Sequence, residues 1–154
     1  MVSLLKKLEW NYIVVIYDMD NYGKEGYESL KTRVKNENIC IKSSFGIPID
    51  ENGAVTSSSL RTFLDDTAQL SVTGAVVFST AVHIKIILNA ASLRLAETSD
   101  QISFLFSEGI DLTRSSVRDN NDNVYEPAKG AYVTAPPRSY VNEFESYWEN
   151  MFKN

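Results

Sequence analysis

The sequence predicts an α/β protein with a doubly wound, mostly parallel five-stranded sheet and helices on both of its faces. Short, uniformly apolar runs such as 12–17 and 75–78 are typical of strands that are buried on both sides. Stretches of helix length, with apolar residues at helical spacing, separate successive runs. This alternation favours parallel strands joined by right-handed crossovers. No repeat or linker interrupts the 154 residues, so residues 1–154 are predicted to form a single domain.

Two strands and three helices are predicted in the first half of the chain. They are a short amphipathic helix within 1–10, a strand over 12–17, a helix over 22–36, a strand over 39–44 and a helix that follows the N-cap candidates 56–59. Gly26 lies inside the second helix, where a missing side chain indicates close packing on the sheet. The third helix has an apolar face made of Leu60, Phe63, Leu64 and Ala68.

Three strands and two helices are predicted in the second half. They are a strand over 75–78, a helix that ends near 94, strands over 102–106 and 131–135, and a last helix over 139–152. A polar segment, 111–129, separates the last two strands, and 119–123 is expected to be an exposed loop.

Composition and charge narrow the function. The net charge of −5 and the absence of a basic stripe argue against nucleic acid as a partner. The apolar runs are far shorter than the roughly 20 residues that cross a bilayer. No signal peptide is visible at the start, so an extracellular location requires the sequence to be part of a longer protein. One cysteine and one histidine make an internal disulfide impossible and a zinc site improbable, and no cofactor is expected.

Three loops are predicted to meet at the carboxyl edge of the sheet, where open α/β folds bind ligands. They hold Asp18, Asp20, Asn21 and Tyr22 after the first strand, Ser79 and Thr80 after the third, and Ser107, Glu108 and Gly109 after the fourth. Hydroxyls and helix N-termini suit a carboxylate, and side-chain carboxylates suit an ammonium group. The set therefore suits a zwitterion such as an amino acid, or a cation. The competing interpretation is that residues 18–21 only turn the chain and cap a helix.

Motifs of other α/β proteins are incomplete. No glycine-rich phosphate loop follows a strand. Asp18 and Asp20 resemble the acidic pair of receiver domains, but Ser79 stands where those domains carry the phospho-acceptor aspartate. His83 falls within a predicted helix and is expected to be a surface residue. No nucleophile elbow or paired histidine base is recognisable, so the sequence predicts that the chain is not an enzyme.

A known family resembles the chain along nearly its whole length. The similarity is carried by 8–13, by the Tyr-Gly and following Gly of 21–26, by 38–41, by the strand ends 76–79 and 104–109, and by 130–135 with 144–148. These segments are similar to the extracellular Venus-flytrap domain of family C G-protein-coupled receptors, which include metabotropic glutamate and calcium-sensing receptors. The match is to the second lobe of that domain, a lobe of the periplasmic-binding-protein type I fold.

The resemblance implies roles for particular residues. Tyr22 would stack over the amino-acid part of the ligand, and Glu108 would pair with its ammonium group or help to hold the closed cleft. The other ligand-binding residues implied or expected at the same edge are Asp20, Ser79, Thr80, Ser107 and Gly109. Cys40 would form a disulfide to a cysteine-rich module, although a buried strand thiol is an equal alternative.

The same resemblance implies further partners, and it also shows positions at which the chain differs from the family pattern. The partners would be a first lobe, the cysteine-rich module, a second receptor copy and a small ligand, with membrane attachment through a seven-helix domain. Glu108 replaces the usual aspartate of glutamate receptors, and Ile110 replaces an aromatic residue. Phe78, Ser79 and Thr80 stand where glutamate receptors carry paired cysteines. These departures weaken the prediction of glutamate as the ligand. The alternative hypothesis is an intracellular signalling or enzyme domain of flavodoxin-like or receiver-like fold.

Overall fold

A five-stranded, all-parallel sheet forms the centre of the computed structural model, which describes residues 1–48, 57–98, 101–107 and 115–135. The strands lie in the order β2-β1-β3-β4-β5. They are β1 Tyr12–Asp18, β2 Cys40–Ile47, β3 Gly74–Phe78, β4 Phe104–Phe106 and β5 Tyr132–Val133. The prediction of a doubly wound α/β sheet is confirmed.

Helices cover both faces of this sheet. In the described segments they are α1 Val2–Lys7, α2 Asn21–Val34, α3 Ser57–Ala68 and α4 Ala81–Thr98, with two short 3-10 helices at Ser115–Val117 and Glu126–Ala128. Alternate residues of β1 point to opposite faces. Ile13 and Val15 pack with α1 and α2, and Val14 and Ile16 pack with α3 and α4. The sheet is therefore buried between two apolar layers, as the uniform apolar run in β1 predicts.

Several predicted boundaries and faces differ from the structure. Strand β2 runs to Ile47, three residues beyond its predicted end, because it is an edge strand whose partly exposed residues lack a continuous apolar pattern. Ala68 is exposed, which corrects the predicted face of α3. Thr67 is buried instead, and its hydroxyl donates to the carbonyl oxygen of Leu64 at 2.7 Å. The predicted helix over 139–152 lies outside the described residues.

Close packing of α2 on the sheet depends on glycine. A β-carbon on Gly26 would lie 2.5 Å from the ring of Phe78, a distance that side chains do not tolerate. The predicted role of Gly26 in close helix–sheet packing is therefore confirmed. In the described part of the chain, no helix is both long and apolar enough to cross a membrane.

Candidate functional site

The carboxyl ends of β1, β3 and β4 are neighbours, so the loops that follow them share one edge of the sheet. Asp18 ends β1, Ser79 follows β3 and Ser107 follows β4. Neighbouring strands lie about 4.8 Å apart, so this edge extends over roughly 10 Å from Asp18 to Ser107. We call it the carboxyl edge, and it is the place where doubly wound folds bind ligands.

The start of α2 is fixed by Asp20 and Gly23. The Asp20 carboxylate caps the helix by accepting a hydrogen bond from the Gly23 amide at 2.7 Å. A β-carbon on Gly23 would lie 2.2 Å from the carbonyl oxygen of Asp18, so only glycine allows the helix to begin this close to the strand. Tyr22 lies between these two residues, and its backbone is held at the carboxyl edge.

Tyr22 reaches across the carboxyl edge. Its hydroxyl donates to the Ser107 hydroxyl oxygen at 2.7 Å, although the two residues are 85 positions apart in the sequence. Ser107 is 2% exposed, whereas Tyr22 is 40% exposed. The phenol is therefore anchored at its tip while much of the residue stays open to solvent. An anchored, exposed aromatic ring is a suitable surface for stacking against a small ligand.

Asp18 is the centre of a buried polar cluster. Its carboxylate is 1% exposed and accepts from the Ser79 hydroxyl at 2.6 Å and from the Thr80 amide at 2.8 Å. His83 Nδ1 lies 2.8 Å from the same carboxylate. Three partners compensate the loss of water around this charge. The carboxylate also lies at the start of α4, where the helix dipole stabilises a negative charge.

His83 is not a surface residue, which corrects the expectation from the sequence. Its side chain is 11% exposed and packs on Asp18, a contact that spans 65 positions. The sequence placed this polar residue in a helix but carried no local signal for its partner, because Ser79 precedes α4 and Asp18 lies 65 positions away.

The structure brings together part of the predicted ligand set. Tyr22 and Ser107 are in contact, Ser79 is fully buried against Asp18, and Thr80 is exposed beside it. Asp20 lies at the same edge and is engaged as the cap of α2. Glu108 and Gly109 lie outside the described residues.

Cys40 belongs to a different part of the molecule. It is a free, exposed thiol at the amino end of β2, and parallel strands place that end on the edge opposite Asp18. Among the described residues, no group of three histidine, cysteine or acidic side chains is placed to hold a metal ion.

Comparison with known proteins gives matches over the whole chain. The profile described as "Receptor family ligand binding region" matches residues 1–154. Metabotropic glutamate receptor 4 of Macaca fascicularis is 24% identical over 151 residues, which cover 97% of this chain and 16% of the receptor. A probable metabotropic glutamate receptor of Caenorhabditis elegans is 26% identical over 155 residues, covering 98% and 15%. Taste receptor type 1 member 2 of Rattus norvegicus is 37% identical over 84 residues, covering 51% and 10%. The chain spans about a sixth of the length of the metabotropic relatives that it matches.

Proposed function

The chain belongs to the receptor family ligand binding region, in common with the family C metabotropic glutamate receptors, and we propose that it is the second lobe of a two-lobed extracellular domain. In this proposal the lobe closes on an amino acid or a similar small ligand and so starts signalling at the plasma membrane. A cation is the second ligand class that the acidic character of the edge suits.

The observation that carries the proposal is the position of Tyr22. Its ring is anchored to Ser107 yet exposed at the carboxyl edge, so a ligand could stack on it at little cost in side-chain entropy. A ligand between two lobes gains contacts from both walls, and closure excludes the water that screens its charges. Contacts from this lobe would form mainly on closing. Because of these contacts, the ligand would bind the closed form more tightly than the open form. This difference in affinity would determine how far the ligand activates the receptor.

The ligand residues expected at this edge are Tyr22, Ser107, Glu108 and Gly109, with Asp20, Ser79 and Thr80 beside them. Burial of Ser79 supports an indirect role, in which its hydroxyl holds Asp18 and thereby shapes the loop that carries Tyr22. Exposure of Thr80 supports a direct one.

The remaining partners of the receptor are proposed on the same basis. A first lobe would complete the cleft, and a second receptor copy would form a dimer. Cys40 is exposed, which suits a disulfide to a cysteine-rich module. Membrane attachment would come from a seven-helix domain elsewhere in the receptor.

The proposal includes the absence of catalysis by this chain. The Ser79 hydroxyl donates to buried Asp18 and is itself fully buried, so it is not open to attack a substrate. Ser79 also occupies the position at which a receiver domain would need an aspartate. The contacts at this edge therefore favour binding over the enzyme and phosphotransfer alternatives.

The test is a dose–response series on the intact receptor that contains this chain, with L-glutamate and the other standard L-amino acids as probes. Tyr22→Ala should raise the half-maximal concentration by roughly tenfold, because the ring contact is lost. Glu108→Gln should cost about 1–3 kcal/mol of binding if the ligand carries an ammonium group.

Two controls separate the cleft from general damage. Tyr12→Ala removes a tyrosine of similar exposure, 45% against 40%, from the opposite edge of the sheet. Lys35→Ala changes an exposed charge just after α2. If Tyr22→Ala and Glu108→Gln respond like these controls at normal surface expression, the carboxyl edge is not the ligand site.

A further inference from the structure

We propose that His83 is an additional ligand-contacting residue, and that buried Asp18 orients it so that Nε2 accepts a hydrogen bond from an ammonium group of the ligand. The inference rests on the proposed ligand-binding role of the carboxyl edge. It adds a residue that neither the loop pattern nor the resemblance assigns to the site.

The geometry of the imidazole carries the first step. His83 lies in the first turn of α4, at the carboxyl edge, and its Nδ1 is 2.8 Å from Asp18 Oδ1. The two ring nitrogens lie on opposite sides of the ring, so Nε2 faces away from this carboxylate oxygen. Nε2 has no hydrogen-bond partner among the described residues, and the side chain keeps 11% of its surface open. An oriented polar atom is therefore left for a contact outside the described chain.

The protonation pattern follows from the partners of Asp18. An ionised carboxylate only accepts hydrogen bonds, and Asp18 accepts from Ser79 and from the Thr80 amide as well. The contact with His83 therefore requires a hydrogen on Nδ1. In the neutral imidazole this leaves Nε2 with its lone pair, so Nε2 is an acceptor.

Charge decides which ligand group Nε2 suits. With a neutral His83, the pair carries the negative charge of Asp18, and Asp20 adds a second carboxylate on the neighbouring loop. Tyr22 faces the same edge as an uncharged phenol. Lys85, on α4, donates to the side-chain oxygen of Asn120 at 3.1 Å, in a loop beyond the helix. A ligand ammonium therefore meets an acceptor in a negative surrounding, whereas a ligand carboxylate meets repulsion.

Protonation of His83 reverses this preference. The imidazolium has donors on both nitrogens and no acceptor, and its charge repels an ammonium group. The contact with a ligand ammonium therefore requires the neutral form of His83.

The first test uses the fact that the chain contains one histidine, so ring-labelled protein gives one pair of ¹⁵N imidazole signals. At pH 8.5 we expect the neutral tautomer with hydrogen on Nδ1 and a lone pair on Nε2. Asp18→Ala should abolish this preference, because it removes the acceptor of the Nδ1 hydrogen. Hydrogen on Nε2 in the wild-type chain would overturn the proposal, with or without a ligand.

The second test adds each standard L-amino acid at 20 mM, and then its deaminated acid as a matched probe without the ammonium group. An amino acid that moves the backbone amide signals of Tyr22 and Ser107 should also move His83 Nε2, and its deaminated acid should not. If those amides move and Nε2 does not, the inference about His83 is wrong while the proposed function stands. If no signal at the edge responds to any probe, even in the intact receptor domain in which the chain is joined to its first lobe, both are wrong.

A pair of variants isolates the Nε2 atom. His83→Asn keeps an amide donor near the position of Nδ1 but has no atom at Nε2, so it should fold normally and bind about tenfold more weakly. His83→Gln places an acceptor near the position of Nε2 and should recover part of that loss. Equal affinity of His83→Asn and wild type would overturn the inference.

Discussion

The hydrogen bond between Tyr22 and Ser107 allows a sharp test of how the carboxyl edge is held together. Its two partners differ in burial, because Ser107 is 2% exposed and Tyr22 is 40% exposed. Removing one partner of a hydrogen bond costs most when the other is left buried without a partner. The two single substitutions should therefore differ in cost, although they delete the same bond.

The magnitudes follow from this asymmetry. Tyr22→Phe leaves the Ser107 hydroxyl buried, which should cost about 1–2 kcal/mol of unfolding free energy. Ser107→Ala leaves the phenol hydroxyl of a partly exposed residue, which water can solvate, so the cost should be about 0.5–1 kcal/mol. In the double variant neither polar group remains. Its cost should fall below the sum of the single costs by about 1 kcal/mol.

The assay is urea unfolding of the chain and its three variants at pH 7, followed by far-ultraviolet circular dichroism. Unchanged slopes with shifted midpoints would show that only stability has changed. Tyr12→Phe is the matched control, because Tyr12 is similarly exposed and lies at the other edge of the sheet. Additive single costs, or a larger loss for Ser107→Ala than for Tyr22→Phe, would refute the reasoning.

Three further outcomes are expected. Gly23→Ala should cost about 3 kcal/mol in thermal or urea unfolding, because its β-carbon would lie 2.2 Å from the Asp18 backbone. Gly46→Ala should cost less than about 1 kcal/mol, because its β-carbon would meet only the outer ends of two side chains, Met19 at 3.0 Å and the Tyr17 hydroxyl at 3.2 Å. Asp18→Ala should cost about 3 kcal/mol in the same measurement, since it leaves buried donors without an acceptor, and a loss below 1 kcal/mol would contradict the cluster described above. The backbone amide of Asn123, together with further local hydrogen bonds, holds the pKa of Asp119 below its ordinary value of 3.8. The hydrogen bonds of the Asp119 carboxylate order its loop, and this ordering should persist at pH 4–7. It should disappear as the pH falls through the lowered pKa. Amide exchange measures this change, and Asp119→Asn should remove it.

How accurately the sequence predicted the bounds of these strands depended on how deeply each strand is buried. Strands β1 and β3 are buried on both faces, so their uniform apolar runs identified them almost to the residue. Strand β2 lies at an edge, where side chains alternate between partial burial and exposure, and its end was predicted three residues too early.

The features of the candidate site also fall into two groups, those that the sequence predicted and those that only the tertiary structure decided. The sequence alone determined that acidic, hydroxyl and aromatic side chains follow strands of a parallel sheet, and hence that they share an edge. It also offered Asp18 and Asp20 as equivalent carboxylates two residues apart. Tertiary structure decided between them: Asp20 caps its own helix through a local contact, whereas Asp18 is buried by residues more than 60 positions away. Contacts within a helix or strand follow its periodicity, which is visible in the sequence. Contacts between distant residues depend on the crossovers that bring two strand ends together. His83 and the anchor of Tyr22 are of this second kind, so only the packed fold could place them.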